Sequence, residues 1–164
     1  MTAASPTLRF LLRRPAHFIA LGFGSGLAPF APGTFGTLVA IPVAAVLRIY
    51  ASDVAFVACI VLLFALGVWA CDVTSRDLGV ADHGSIVIDE VVAFLIVLYF
   101  VGGDPLRQAF AFLLFRVFDI AKPPPIRQVD ATLKNGFGVM LDDVLAAAYT
   151  LFVFALVVRV TGSS

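Results

Sequence analysis

Two pairs of adjacent acidic residues are the groups in this sequence best placed for chemistry. Asp89 and Glu90 follow the start of one apolar segment, and Asp142 and Asp143 open another. An ionisable side chain in a membrane helix costs about 2.5–3.5 kcal/mol at the bilayer centre, so such residues are functional candidates. Carboxylates that share a pocket repel one another unless a cation neutralises them, and oxygen ligands suit Mg²⁺ or Mn²⁺. The pairs therefore predict a divalent metal site. The alternative is that these acids interact only with the positive ends of helix dipoles.

A second group, of mixed charge, lies at the end of another apolar segment. Arg116, Asp119 and Lys122 recur every third residue, so a helix places them near one face. Pro123 to Pro125 end that helix. A guanidinium and an ammonium beside a metal ion form a clamp for phosphate. The alternative is a structural pair of Arg116 with Asp119, with Lys122 extending toward lipid headgroups.

The segment from residue 22 to residue 37 is rich in glycine, which lets the backbone approach a ligand closely. It contains no complete G-x-G-x-x-G, so it is not a dinucleotide fingerprint. Because it leads into a helix, its amide groups and Thr34 could bind a phosphate, and we include Ser25 and Gly33 among the candidate contacts. His83, in the loop before the third segment, is a further candidate substrate contact, either as a general acid or only as a hydrogen-bonding residue.

The apolar segments must position these residues, and they predict an all-α fold. Val54 to Cys71 is a stretch of eighteen residues without a charge, which is the threshold for a helix that crosses a membrane. The first segment is short and contains Pro42, so it could form a half-membrane or tilted helix. We predict a polytopic membrane bundle of about four to five apolar helices, at residues 37–50, 54–71, 86–101, 106–121 and 140–160.

The chain is expected to divide into two unequal parts. Residues 1–21 are predicted to be an N-terminal interfacial segment, and residues 22–164 a single helical domain. Arginines interrupt every apolar stretch near the N-terminus, so no cleaved signal sequence is expected there.

The composition favours lipid as the surrounding solvent. Of the 164 residues, 61% are hydrophobic and 13% are charged, whereas ordinary globular domains have about 45–50% and about 25%. Eleven basic and eleven acidic residues cancel, so no general attraction to nucleic acid is expected.

The basic residues predict how the bundle is oriented. If the N-terminus is cytoplasmic, seven Lys and Arg residues lie on the inner side and three on the outer side, which obeys the positive-inside rule. The same orientation places both acidic pairs near the inner side. The polar site is therefore predicted to face the cytoplasm.

Three blocks, in order along the chain, resemble the phosphatidylglycerophosphatase A family. They are residues 22–37 with the core Pro-Gly-Thr-Phe-Gly, residues 82–90, and residues 115–123 followed by residues 136–143. The resemblance implies an all-helical, integral-membrane phosphatase that depends on Mg²⁺. It also implies that phosphatidylglycerophosphate is hydrolysed to phosphatidylglycerol and inorganic phosphate at the cytoplasmic face of the bacterial inner membrane. Ala93 stands where many members are expected to have glycine.

The resemblance assigns roles to the acids already singled out. It implies that Asp89, Glu90, Asp142 and Asp143 are metal ligands, and that Asp89, Asp142 and Asp119 take part in catalysis. Arg116 and Lys122 are implied as contacts to the phosphate.

Two reaction routes fit these residues. In one, Mg²⁺ activates a water molecule, and Asp142 or Asp89 accepts its proton. In the other, an aspartate attacks the phosphorus and forms an aspartyl-phosphate. The sequence does not choose between them.

A different class of protein, a small cation carrier or channel, could use the same buried acids. A path across the bilayer needs acids at several depths, whereas these acids lie near one side and residues 54–70 contain none. A lipid phosphatase is therefore the expected function, with membrane lipid as its partner.

Overall fold

The computed structural model describes residues 6–162, and every regular element in this range is a helix. The described range leaves out residues 1–5 of the predicted interfacial segment and residues 163 and 164 of the predicted domain. The helices are α1 (Leu8–Leu11), α2 (Pro15–Ala20), a 3₁₀ helix (Gly22–Leu27), α3 (Pro32–Tyr50), α4 (Asp53–Leu78), α5 (Ile88–Val101), α6 (Pro105–Ala121), α7 (Ile126–Thr132) and α8 (Gly136–Thr161). The all-α prediction is confirmed for this range.

Helix α5 forms the centre of the bundle. Its sequence is apolar on every side after its first turn, and a helix of that kind is stable only when it is surrounded. Helices α3, α4, α6 and α8 all pack against it. Phe94 of α5 and Phe115 of α6 are fully buried, with ring centroids 5.5 Å apart. The first turn of α5, which carries Asp89 and Glu90, is therefore fixed by a helix that its neighbours surround.

Three helices are long and apolar enough to cross a membrane: α3, α4 and α8. Their outer faces expose large apolar side chains, such as Leu62 at 59% and Phe152 at 65%, as expected for helices in lipid. The fourteen residues of α5 rise only about 21 Å, less than the hydrocarbon thickness of about 30 Å. The bundle is thus built from long outer helices around a shorter buried one.

Two predicted helix ends are wrong because apolar composition was taken as the limit of the helix. Helix α4 does not end at Cys71 but continues through a polar stretch to Leu78, where Gly79 adopts a left-handed conformation with φ of 70°. Helix α3 does not start at residue 37 but at Pro32, a residue type suited to the first helical position.

Helix α8 also starts earlier than the predicted residue 140. Asn135 accepts a hydrogen bond from the amide of Gly138 at 2.9 Å and so caps the helix. A Cβ at Gly136 would lie 2.2 Å from the carbonyl oxygen of Val68, so only glycine lets α8 begin this close to α4. Gly136 therefore serves the packing of α8 against α4.

The chain direction alternates, so one end of the bundle collects most of the polar residues. Helices α3, α5 and α8 begin there, and α4 and α6 end there. Contacts of Gly33 with Glu90 and Arg116, and of Gly136 with Asp72, join these termini. We call this the polar end, and the opposite one, with the end of α3 and the start of α4, the far end.

Candidate active site

Three buried carboxyl groups meet at the polar end. Asp89 and Glu90 lie in the first turn of α5 and Asp143 in the second turn of α8, and each offers an oxygen within 4.8 Å of the other two. Within residues 6–162, one oxygen of each has no hydrogen-bond partner: Asp89 Oδ1, Glu90 Oε2 and Asp143 Oδ2. Buried polar atoms are nearly always paired. Three unpaired oxygens in one cluster fit a hard divalent cation such as Mg²⁺.

Glycine brings α3 against this cluster. A Cβ at Gly33 would lie 2.0 Å from Glu90 Oε1 and 3.1 Å from Arg116 Nη2. Any other residue at position 33 would therefore displace the Glu90 side chain and crowd that of Arg116. This contact is a structural reason for the first glycine of the Pro-Gly-Thr-Phe-Gly block.

Arg116 is held between α3, α5 and its own helix. Its Nη1 lies 2.7 Å from Asp119 Oδ2 and 3.6 Å from Glu90 Oε1. The same nitrogen donates to Thr37 Oγ1 at 3.3 Å, and the Thr37 hydroxyl donates to the carbonyl of Gly33 at 2.8 Å. Arg116 Nε has no partner within residues 6–162. The structural pair with Asp119 is thus present, and the guanidinium still borders the carboxyl cluster.

Lys122 forms a separate group with two acids. It ends α6 in a left-handed conformation, with φ of 43°. Its Nζ lies 2.5 Å from Asp142 Oδ2 and 3.5 Å from Asp130 Oδ2. Burial lowers the pKa of Lys122, but the hydrogen bond and charge of Asp142 and then the charge of Asp130 raise it more, so the net pKa is raised. Lys122 therefore remains a cation at physiological pH.

The two acidic pairs are used differently. Adjacent helical residues point about 100° apart, and accordingly Asp143 joins the cluster while Asp142 binds Lys122. Both Asp89 and Glu90 reach the cluster. The structure therefore brings together three of the four expected metal ligands, whereas the fourth, Asp142, forms an ion pair with Lys122.

The remaining predicted contacts have local roles in the structure. Ser25 Oγ donates to the carbonyl of Gly22 at 2.8 Å, and His83 Nδ1 accepts from the amide of Ser85 at 3.1 Å. These bonds stabilise turns at the polar end and do not involve the carboxyl cluster. Thr34 lies half-buried in the first turn of α3, beside Gly33.

Two residues of the site were not singled out from the sequence. Thr37 supports Arg116, and its spacing of four from Gly33 along a helix was the available signal. Asp130 lies between Lys122 and Lys134, each 3.5 Å away. It belongs to α7, which was not predicted, although its spacing of four from Lys134 is typical of a helical ion pair.

Comparison with known proteins identifies the family. The sequence model described as phosphatidylglycerophosphatase A matches residues 18–158, a range that contains the carboxyl cluster, Arg116 and Lys122. The chain belongs to the phosphatidylglycerophosphatase A family. The protein named phosphatidylglycerophosphatase A from Haemophilus influenzae is 46% identical over 154 residues, which cover 93% of this chain and 94% of that protein. The protein of the same name from Escherichia coli is 39% identical over 139 residues, covering 84% of this chain and 80% of that protein.

A third relative carries a different name within the lipid phosphatases. It is a Bacteroides thetaiotaomicron protein, provisionally named a phosphatidylinositol-3-phosphatase, and it is 37% identical over 161 residues. The aligned region covers 92% of this chain and 100% of that relative. No solved structure matches the chain.

Proposed function

We propose that the protein is a membrane phosphatase that converts phosphatidylglycerophosphate to phosphatidylglycerol and inorganic phosphate in phospholipid biosynthesis. The observation that carries the proposal is the buried cluster of Asp89, Glu90 and Asp143, with an unpaired oxygen on each residue and Arg116 beside it. The family match and the names of its members give the substrate.

The cofactor we propose is Mg²⁺, held by oxygens of Asp89, Glu90 and Asp143. When bound, the ion would withdraw charge from the phosphate oxygens and lower the pKa of a coordinated water. The donor set consists only of carboxylate oxygens, which is the chemistry that Mg²⁺ prefers.

The basic residues bind and orient the phosphate. Arg116 and Lys122 offer N–H donors to its oxygens, and their charge offsets the negative charge that these oxygens carry as the P–O bond to the glycerol breaks. Asp119 and Thr37 orient Arg116, and Asp142 and Asp130 orient Lys122. We assign these four as positioning residues.

Asp89 is the proposed proton acceptor. Asp142 is already bound to Lys122, whereas no ion pair within the described chain involves Asp89. As the oxygen of the attacking water bonds to phosphorus, its proton passes to the Asp89 carboxylate and the P–O bond to the glycerol breaks. The glycerol oxygen leaves with the electron pair of that bond and takes the proton from Asp89, which gives the hydroxyl of phosphatidylglycerol. In the first turn of α3, the Thr34 amide donates to the carbonyl of Ala31 at 2.9 Å, so the groups we propose as phosphate contacts there are the Gly33 amide and the Thr34 hydroxyl.

We place the polar end at the cytoplasmic face of the bacterial inner membrane. Besides Arg116, seven basic residues belong to the elements and loops of this end, against three at the far end, and cytoplasmic segments carry the excess of Lys and Arg. The first set is Arg9, Arg13, Arg14, Arg76, Lys122, Arg127 and Lys134, and the second is Arg48, Arg107 and Arg159. A lipid headgroup can then reach the cluster from the inner leaflet while its acyl chains stay among the outer helices.

Phosphate release from phosphatidylglycerophosphate, by protein purified in detergent, tests this proposal. We expect activity with Mg²⁺ and none with a chelator, and a loss of at least ~100-fold in D89N and D143N, since even residues that only orient metal ligands contribute about 10- to 100-fold. Asp104→Asn is the matched control, because Asp104 caps α6 at the far end and asparagine caps equally well.

Near-normal turnover in folded D89N and D143N would contradict the assigned site. Phosphatidylinositol 3-phosphate should be assayed in parallel, because a relative carries that activity in its name. Faster hydrolysis of this lipid than of phosphatidylglycerophosphate would overturn the proposed substrate but would not contradict the proposed metal site.

A further inference from the structure

The far end of the bundle contains a polar cavity, remote from the carboxyl cluster. Its volume is about 590 Å³, within the range of about 300–1,000 Å³ typical of small-ligand sites. It lies where the end of α3, the start of α4 and the end of α5 meet. It is lined by Arg48, Ala51, Asp53, Phe56, Tyr99 and Phe100.

One wall of the cavity is positively charged. An N–H of the Arg48 guanidinium donates to the carbonyl of Leu98 near the end of α5, which fixes the side chain. A guanidinium has five N–H donors, so this bond leaves donors for an anionic ligand. A planar guanidinium also matches the oxygens of a phosphate.

The opposite charge comes from Asp53, in the first turn of α4. Its carboxylate is exposed, and the cap of this helix is provided by Ser52, whose hydroxyl accepts from the amide of Ala55 at 3.3 Å. No ion pair within residues 6–162 joins Asp53 to Arg48. The cavity therefore presents one cation and one anion that do not neutralise each other directly.

Aromatic rings form the rest of the cavity. The ring centroids of Phe56 and Tyr99 are 5.3 Å apart, and those of Tyr99 and Phe100 are 5.1 Å apart in an edge-on arrangement. The face of an aromatic ring attracts an ammonium group. Rings next to a carboxylate are thus suited to a small organic cation.

We infer that this cavity binds a zwitterionic phospholipid with a primary ammonium headgroup, of the phosphatidylethanolamine class. The phosphate would contact Arg48, and the ammonium would contact Asp53 and the neighbouring rings. An anionic headgroup would satisfy Arg48 but leave Asp53 without a cation. Ile49 and Phe100, exposed by 71% and 68%, provide apolar surface at the mouth for the acyl chains. The inference is independent of the proposed phosphatase activity.

Native mass spectrometry of the detergent-purified full chain tests this site. The probes are dioctanoyl-phosphatidylethanolamine, dioctanoyl-phosphatidylglycerol and water-soluble phosphoethanolamine. We expect D53N to weaken binding of the ethanolamine lipid at least five-fold and to leave binding of the glycerol lipid unchanged. R48Q should weaken binding of the ethanolamine lipid to a similar extent, and D104N, which removes a different far-end charge, should bind it like the wild type.

Equal affinity of wild type and D53N for the ethanolamine lipid would overturn the inference. Phosphoethanolamine that binds as tightly as the lipid would overturn the assignment to a phospholipid, because the acyl chains would then contribute nothing. Thermal unfolding shows whether each variant is folded. If R48Q is unfolded because Arg48 also holds the end of α5, the comparison of D53N with D104N decides the question.

Discussion

The two ends of the bundle are built in opposite ways. At the polar end, like charges are buried together and helices approach so closely that Gly33 and Gly136 admit no side chain. At the far end, Arg48 and Asp53 have opposite charges and are exposed, and Gly103 has open space around it. Within the described residues, a buried cluster of three carboxyl groups occurs at the polar end, where we propose that a cation and a phosphate bind. The two ends should therefore respond differently to equivalent substitutions.

The largest difference in turnover between the two ends is expected when a glycine is replaced by alanine. In Gly33→Ala, the new Cβ would lie 2.0 Å from Glu90 Oε1, so Glu90 and Arg116 must move. Displacing catalytic groups by about 1 Å can reduce turnover about 100-fold. We expect a loss of this size in phosphate release, whereas Gly103→Ala at the far end should keep the wild-type rate. Equal rates for the two alanine variants would show that the close contact at Gly33 is not needed for catalysis.

A smaller loss is expected when Arg116 loses its support. In Thr37→Val, Arg116 Nη1 loses the hydroxyl that accepts from it at 3.3 Å, while the side chain keeps its shape. A hydrogen bond to a charged group contributes about 1.5–3 kcal/mol, so we expect kcat/KM to fall by roughly ten-fold or more.

The control for this variant is Thr150→Val. Thr150 is also fully buried, and its hydroxyl donates to a carbonyl of its own helix at 2.8 Å, as that of Thr37 does. It does not contact Arg116. A similar fall in both variants would mean that the effect comes from burying valine and not from the position of Arg116.

These cases also show which parts of the molecule follow from the sequence. The central segment was predicted at residues 86–101 and observed at Ile88–Val101, because a continuous apolar tract defines both the helix and its burial. The polar continuation of α4 from Asp72 to Leu78 and the short helix α7 were missed, since neither has an apolar period of its own. Their helical state depends on packing against other elements, which a local pattern does not contain.

The candidate site likewise has features that the sequence indicates and features that depend on how the helices pack. Residue types identified the acids, Arg116 and Lys122 because buried charges are rare and conspicuous. They could not indicate that Asp143 joins the cluster while Asp142 binds Lys122, since this depends on the rotation of α8 against its neighbours. Thr37 and Asp130 were missed because threonine in a helix and acids on a polar surface are common.

Stability should also distinguish the two ends. Without metal, the clustered carboxyl groups repel one another, so Asp143→Asn should raise the melting temperature in chelator by about 2–4 °C, the shift that corresponds to ~1 kcal/mol in a chain of this size. Mg²⁺ should raise the melting temperature of the wild type, because a ligand that binds only the folded state stabilises it, and should do so much less in the variant.

Asp104→Asn provides the far-end comparison for this measurement. It removes a carboxylate that caps α6 and does not belong to the carboxyl cluster. The melting temperature of D104N should therefore match that of the wild type both in chelator and in Mg²⁺. A lower melting temperature of D143N than of the wild type in chelator would show that the cluster is not under repulsion.

The smallest effect is expected for the turn that carries Lys122. The hydroxyl of Tyr149 in α8 donates to the carbonyl of Pro124 at 2.7 Å, and Lys122 binds Asp142 on the same helix, so two contacts fasten this turn to α8. Tyr149→Phe removes one contact, worth about 0.5–1.5 kcal/mol, and the ion pair keeps the ammonium close to its place. We therefore expect KM for phosphatidylglycerophosphate to rise about two- to three-fold with little change in kcat, if the lysine binds the phosphate in the ground state as well as in the transition state, as we propose. Tyr50→Phe, at an exposed far-end position, should change neither constant. A fall in kcat with an unchanged KM would instead mean that the turn acts only in the transition state, and the role of Lys122 would shift from binding to catalysis.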